Sequence, residues 1–456
     1  MSLSARTLAT IIGDWRTTAE PAHRLLTTAV RLAVLDGRVV IGQQLPSERS
    51  LALELGVSRT TVTTAYRQLG AQGFISTSQR HRATASLPPS GRTSPRGSVA
   101  GEVLDLTSAS PLAPGRLLQE AYAAAMNQLP RYLAQTGYDR TGILELRDAV
   151  ARWFSSRGLA TAPDQILITH GAQHALSLVA HVLLRPRATV AVEHPTYPNA
   201  LELFRLLGCR MTAVPPARSL GDVDAWKPAL EAADLVYLTP DFHNPSGVSI
   251  PAEVRPALRS RKVMVIDETM VALGLDGRCL PDSPPLAYFH PSALTIGSVS
   301  KCLWGGLRVG WLRAPESLVN KLARLRPATD LGNSVLDQLA VAEMLEAGRC
   351  ADTDASWQRT QRSDHLRRAL LNSPLDIASI ERPTGGLALW VKFEKPVAAA
   401  MASHASKEGL ALSAGPMFSP HGAFQRHLRI PYTLNCNQLD QVASRLTSLR
   451  ESLEYT

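Results

Sequence analysis

Lysine is absent from the first 101 residues, which hold twelve arginines and five acidic residues and so carry a charge of +7. The other 355 residues supply only +2 of the total +9. A basic bias confined to one end suggests contact with a polyanion. Cysteine is scarce. Cys209, Cys279, Cys302, Cys350 and Cys436 are scattered, with no CxxC and no metal-ligand spacing. That argues against a zinc module or a disulfide scaffold, and reads as a reduced, cytoplasmic chain without structural disulfides. The first residues, MSLSARTLATIIGDW, contain too short an apolar run for a signal peptide. No uncharged apolar stretch reaches the length of about 18 residues that a membrane span needs. Charged residues are 19% and hydrophobic residues 45%, the balance of a packed globular chain rather than a disordered one. At 456 residues, more than one domain is expected.

The stretch SLPPSGRTSPRGSVAGE, residues 86–102, is rich in Pro, Gly, Ser and Arg and has almost no apolar content. It reads as an extended basic linker between a small module (about 10–85) and a large one (103–456). In the large module, short apolar runs such as ILITHG, TVAVEH, LVYLTP, VMVIDE and LTIGSV alternate with helical patterns. This predicts an α/β lobe with a mostly parallel sheet covered on both faces, over about 103–330. After about 330 a long helical stretch and two strand-like pieces, GLALWVKF and HLRIPYTL, predict a smaller α+β lobe, 331–456.

The small module is expected to be α-rich. In LPSERSLALELGVSRTTVTTAYRQLGAQGFI, residues 45–75, Ser47 can cap a helix over 48–55, Gly56 can end it, and Ser58 can cap the next. Leu51, Ala52 and Leu55 form one inward stripe; Val62, Ala65, Tyr66 and Leu69 form the other. Two short helices joined by a three-residue turn, GVS, make a helix-turn-helix. The second helix opens Arg59-Thr60-Thr61, short polar side chains and an arginine suited to base edges and phosphates. These residues resemble the winged helix-turn-helix of the GntR family. The resemblance implies that Arg49, Ser58, Arg59, Thr60 and Thr61 touch DNA. The wing departs from the family's glycine-rich hairpin: it reads STSQRHRATAS, with Arg80 and Arg82 able to reach a minor groove or a phosphate.

Within GSVSKCLWGGLRVGW, residues 297–311, Lys301 follows a strand, with Ser298 and Ser300 beside it and Arg308 ahead of the next strand. A lysine adds to an aldehyde only when unprotonated, so a functional one needs a desolvated site that lowers its pKa. Hydroxyls and a guanidinium beside it suit a phosphate, and a phosphorylated aldehyde bound through lysine is pyridoxal 5'-phosphate (PLP). The other parts that PLP requires stand at strand ends. Asp267 ends VMVID and suits the pyridine nitrogen. THGAQHAL offers a helix N-terminus with the amides of Ala172 and Gln173. Tyr197 suits the ring face, and Asn244 the phenolic oxygen.

This set resembles the fold-type I, aspartate-aminotransferase-like PLP proteins. The matching pieces are YxxxGxxxLR (138–147), GAQ (171–173), HNPSG (243–247), Asp267, SxSK (298–301), GLRxG (306–310) and the arginine of HLRIPY. The resemblance implies Lys301 as the Schiff-base residue and Ala172, Gln173, Ser298, Ser300 and Arg308 around the phosphate. It also implies Tyr138 reaching the partner subunit's cofactor and Arg429 gripping an effector carboxylate through a bidentate fork. One departure concerns Asp267-Glu268-Thr269-Met270, where the family has DxxY: a methionine stands where a tyrosine would donate to the 3-oxygen. An altered imine pKa and impaired transamination follow as expectations.

A GntR-like head joined to an aminotransferase-like body is the arrangement of the MocR subfamily, and the whole chain resembles one of its members. The resemblance implies a homodimeric, head-to-tail bacterial transcription regulator acting on a double-stranded operator with repeated half-sites. Its signal would be PLP or the aldimine of PLP with an amino compound, with at most transaminase half-reactions. The alternative is an active PLP-dependent aminotransferase with an appended DNA-binding head.

Overall fold

The computed structural model describes residues 3–13, 15–16, 21–35, 39, 43–76, 83–85, 103–258, 260 and 262–454. The linker 86–102 and the wing residues Arg80 and Arg82 lie outside the described residues. The chain divides into two compact units, Met1–Glu102 and Val103–Thr456.

The first unit contains α1 (Ala5–Ile12), α2 (Ala22–Leu35), α3 (Glu48–Leu55), α4 (Arg59–Ala71) and the strands β1 (Ile75–Ser76) and β2 (Thr84–Ala85), paired antiparallel. Local chemistry sets the two central helices. The Ser47 hydroxyl accepts from the Ser50 amide, and Gly56 adopts the left-handed conformation (φ 62°) that ends α3 at no Cβ cost. The Ser58 hydroxyl then accepts from the Thr61 amide to start α4. Leu51, Ala52, Val62, Ala65, Tyr66 and Leu69 are buried in one core with Leu26, Val30 and Leu45 from the neighbouring segments. Leu55 packs at its edge, half-buried.

The second unit opens with β3 (Leu104–Asp105), α5 (Gly115–Gln128), α6 (Leu144–Ser156), β4 (Ile166–Thr169), α7 (Ala172–Leu183), β5 (Thr189–Glu193), α8 (Pro198–Leu206), β6 (Arg210–Val214) and α9 (Leu220–Ala232). It continues through β7 (Leu235–Leu238), β8 (Val263–Asp267), β9 (Leu294–Ser298), β10 (Gly310–Arg313), α10 (Glu316–Leu325), α11 (Val335–Glu346) and α12 (Thr353–Leu371). It ends with β11 (Ile377–Ile380), β12 (Ala388–Phe393), α13 (Ala398–His404), β13 (Leu410–Ala411), β14 (Ser413–Ala414), β15 (His427–Pro431) and α14 (Cys436–Glu454).

The main sheet has the order β4-β10-β9-β8-β7-β5-β6. Its pairings are parallel except those of β10, which runs against both neighbours, so β4 points the same way as β9. ILIT of β4 and LVYL of β7 are buried throughout, which is why these strands read as unbroken apolar runs rather than alternating ones. A second sheet, β11-β12-β15-β14, is antiparallel, and its core is completed by α12, α13 and α14.

The lobe boundary differs from the expected division at about 330. Leu339, Ala340, Val341, Ala342 and Met344 of α11 lie in the core with Leu118 of α5 and Phe154 of α6, on the main-sheet side. At the other end, Leu104 and Leu106 are buried with the second sheet, because β3 pairs in parallel with β13. The body's first strand is therefore part of the small lobe, and the small lobe's helices begin at α12.

Candidate functional site

The carboxyl ends of β4, β5, β7, β8 and β9 fall at one edge of the main sheet, and a cavity of about 240 Å³ lies there. Of the residues expected from sequence, Ala172, Gln173, Tyr197, Asn244, Asp267, Ser298, Ser300, Lys301 and Arg308 line it. Tyr138 does not; it is 70% exposed on the loop before α6. Arg429 is also outside the lining, although its charge is felt at Lys301.

Lys301 sits in the turn after β9, where its Nζ donates to the carbonyl of Ala109 at 2.7 Å. Burial drives its pKa down to about 8, helped by the Arg429 and Arg308 charges and opposed by Asp267. Its amine is thus far more available near neutrality than an ordinary lysine's.

Asp267 is buried at the end of β8 with every oxygen engaged. Oδ2 accepts from the Tyr237 hydroxyl at 2.6 Å, and Oδ1 from the Thr269 amide at 2.9 Å and the Thr269 hydroxyl. Burial raises its pKa, and those hydrogen bonds oppose the rise. Tyr237 and Thr269 are functional positions that sequence reasoning missed. Thr269 had a local signal, an Asp-x-Thr turn. Tyr237 had none, because only the register of β7 on β8, with Tyr237 opposite Val265, brings it near Asp267.

α7 begins at Gly171 (φ 86°) without a side-chain cap, so the amides at its start are left for a ligand. Arg308 folds over this end, its Nη2 donating to the His170 carbonyl at 2.7 Å. Its backbone is left-handed (φ 51°), unusual for a residue with a Cβ. A Cβ at Gly171 would stand 3.1 Å from Arg308 Nη2, so glycine is what lets the guanidinium approach. Gln173 donates through Nε2 to the Asn199 carbonyl at 3.3 Å, while its Oε1 is buried without a partner.

The two serines divide their work. Ser298 is buried and held by the Val309 carbonyl (3.0 Å) and Ser300 (2.8 Å), which makes it a support for the turn. Ser300 is half-buried and faces the cavity. Tyr197 caps the start of α8, with its hydroxyl accepting from Asn199 Nδ2 at 2.9 Å. Met270 is buried among Ala109, Phe242, Leu273 and Leu387, and its thioether provides no O–H donor.

Arg429 is 6% exposed, on β15. Its Nη2 donates to the Thr107 carbonyl and, at 3.3 Å, to the Ser413 hydroxyl; its Nε has no partner. Burial lowers its pKa to about 10. Thr107 and Ala109, two residues apart in the segment after β3, thus present carbonyls to Arg429 and to Lys301. Behind the site, Arg157 and Glu268 form a buried pair at 2.7 Å that anchors the turn after Asp267.

These features fit a flat phosphorylated aldehyde: an uncapped helix N-terminus beside a guanidinium, an oriented carboxylate in the same cavity, a tyrosine ring and a deprotonatable lysine. Among the described residues no group of three or more His, Cys, Asp and Glu side chains is arranged for a metal. No helix of the described residues is long and apolar enough to cross a membrane.

The head offers a second candidate site. Arg49, Ser58, Arg59 and Thr60 are exposed and Thr61 is half-buried at the start of α4. The Ser58 hydroxyl is committed to capping, with Thr60 Oγ1 and Thr61 Oγ1 both at 2.8 Å. Arg49, Arg59 and Arg67 share one open groove with Thr63 and Tyr66. Arg67, also missed from sequence, lies on the same α4 face as Arg59 and Thr63, a four-residue spacing that could have revealed it.

Comparison with known proteins agrees with the two-part make-up of the chain. Residues 102–446 match the family "Aminotransferase class I and II", and residues 26–84 match "Bacterial regulatory proteins, gntR family". The uncharacterized HTH-type transcriptional regulator YisV of Bacillus subtilis is 29% identical over 425 residues, covering 82% of this chain and 84% of that protein. The HTH-type pyridoxine biosynthesis transcriptional regulator PdxR of Corynebacterium glutamicum is 31% identical over 393 residues, 81% of this chain and 83% of that one. Among solved structures, LysN, the α-aminoadipate aminotransferase of Thermus thermophilus complexed with N-(5'-phosphopyridoxyl)-L-leucine, superposes with TM-score 0.69. It has 27% identity and covers 77% of this chain and 93% of that one. The chain belongs to the class I and II aminotransferase family and, with its gntR-family head, has the make-up of the MocR subfamily of transcription regulators.

Proposed function

We propose that this protein is a DNA-binding transcription regulator that senses PLP, alone or joined to a small amino compound, through its aminotransferase-like body. The observation that carries the reading is Lys301: a lysine with its pKa driven down to about 8, in a cavity built for a phosphorylated ring, on a chain whose recognition helix keeps Arg59 and Thr60 exposed.

Bound PLP supplies an electrophilic carbon for amines and an electron-withdrawing ring. The chain's residues do the rest. Lys301 would hold it covalently. Asp267, fixed by Tyr237 and Thr269, would keep a proton at the pyridine nitrogen. Asn244 would serve the 3-oxygen and Tyr197 the ring face. The amides of Ala172 and Gln173, with Ser300 and Arg308, would hold the phosphate, with Ser298 bracing Ser300. Tyr138, exposed on its own chain, serves the partner subunit's site in a head-to-tail homodimer. Arg429 takes the effector carboxylate.

A ligand that engages Lys301 and Arg429 competes with the carbonyls of Ala109 and Thr107. That segment continues directly from the linker to the head, so ligand binding has a short covalent route to the DNA-binding unit. In the cytoplasm, two heads on a dimer would read repeated half-sites, through Arg49, Arg59, Thr60 and Thr61 with Ser58 ordering the helix start.

The lysine, aspartate and arginine also suffice for transaminase half-reactions, the second reading. Met270 counts against efficient turnover, because no hydroxyl stands there to donate to the 3-oxygen. Borohydride reduction of PLP-loaded protein, followed by peptide mapping, should place the cofactor on Lys301. Salt-dependent, sequence-selective DNA binding by the same preparation would support the regulator. Sustained turnover of an amino donor with a keto acceptor, without selective DNA binding, would overturn it.

A further inference from the structure

Cys302 and Cys350 bring two free thiols to 2.6 Å, across a sequence separation of 48 residues. Neither takes part in the site described above. Cys302 is half-buried and directly follows Lys301. Cys350 is 5% exposed, in the short turn Arg349–Ala351 just before α12. Two sulfurs this close need to approach by only about half an ångström to reach disulfide length.

A further observation bears on the pair. A small cavity of about 10 Å³ is lined by both cysteines. Its wall also includes Thr269 and Ser298, which line the cofactor cavity as well. It has room for about one water-sized molecule, which favours a small oxidant over a bulky disulfide.

We infer that Cys302 and Cys350 are a hydroperoxide-sensitive thiol pair that closes reversibly to a disulfide, tying the turn that carries Lys301 to the turn just before α12. The steps balance with hydrogen peroxide as oxidant. The half-buried Cys302 thiolate attacks one peroxide oxygen; an S–O bond forms, the O–O bond breaks, and hydroxide leaves and takes up a proton as water. The Cys350 thiol then attacks that sulfur. The S–S bond forms, the S–O bond breaks, and a second water leaves. Two thiols are oxidised and one peroxide is reduced. The hydrogen bond with Cys302 and burial keep the Cys350 thiol protonated, so Cys302 is the one to meet peroxide first, and Cys350 gives up its proton to the departing hydroxyl as it attacks.

The test uses the full chain, with and without PLP. It is treated with graded hydrogen peroxide, blocked with N-ethylmaleimide, digested and analysed by mass spectrometry. The expected result is a Cys302–Cys350 cross-linked peptide that appears before Cys209, Cys279 or Cys436 is modified and disappears with dithiothreitol. Cys302→Ser and Cys350→Ala should each abolish it, and the wild-type mapping stands even if a variant folds poorly. Hydrogen exchange in residues 299–303 should slow in the oxidised protein. Blocked, unoxidised Cys302 and Cys350 at a dose that oxidises the exposed Cys436 would overturn the inference. So would cross-links only between chains, or unchanged exchange in the Lys301 turn.

Discussion

Cofactor attachment should depend on pH through Lys301, whose neutral amine is the nucleophile. An ordinary lysine with a pKa near 10.4 is neutral in about one molecule in a thousand at pH 7.5. With a pKa of about 8, roughly a quarter of molecules are neutral there, a gain of about 200-fold in reactive amine. The rate of covalent attachment, followed by stopped-flow absorbance after mixing with PLP, should rise with pH and level off above a midpoint near 8. Arg429→Met removes a cation that lowers the lysine's pKa, so the midpoint should move up. Asp267→Asn removes the carboxylate that opposes the lowering, so it should move down. A rate that climbs without a break to about pH 10, or a midpoint indifferent to both substitutions, would refute the reasoning.

Other outcomes follow from the same geometry. Asp267→Asn replaces a charged partner of the pyridine nitrogen and should weaken PLP binding by about 10–100-fold in equilibrium dialysis, the equivalent of roughly 1.5–3 kcal/mol. Arg157→Met strands Glu268 as a buried unpaired charge and should destabilise the body by about 3–5 kcal/mol in urea unfolding, whereas Arg152→Met, which breaks only exposed pairs, should cost under about 1 kcal/mol. Arg59→Ala should weaken DNA binding across sequences and flatten the salt dependence by about one unit of slope, if the residue meets a phosphate. Gly171→Ala adds a Cβ at φ 86° and 3.1 Å from Arg308, so it should lower cofactor retention on gel filtration while leaving DNA binding by the head intact.

The parts of the site that sequence made legible are those with local signals. Lys301, Asp267 and the 171–173 turn each sit at the end of an apolar run, where strand, turn and chemistry coincide within a few residues. The caps Ser47 and Ser58 and the glycine at 56 are legible for the same reason: a cap acts within one turn. What was not legible depends on register or on distant packing. Tyr237 reaches Asp267 only through the pairing of β7 with β8. Cys302 meets Cys350 across 48 residues. The lobe boundary was misplaced because α11 reads as one apolar helix, and its sequence cannot say whether it packs on α5 and α6 or on the second sheet. Ser298 is a motif position whose buried hydroxyl faces a backbone carbonyl, which the motif alone does not disclose.

Ligand at Lys301 should change how the chain holds DNA. The decisive measurement is fluorescence anisotropy of a labelled operator selected by the protein itself, titrated with PLP and then with amino compounds, for wild type and Lys301→Ala. Operator affinity should shift by about 5–150-fold on ligand binding, a coupling of roughly 1–3 kcal/mol, and Lys301→Ala should bind DNA with no such shift. Equal affinity with and without ligand in the wild type, with the cofactor shown to be attached at Lys301, would contradict that coupling.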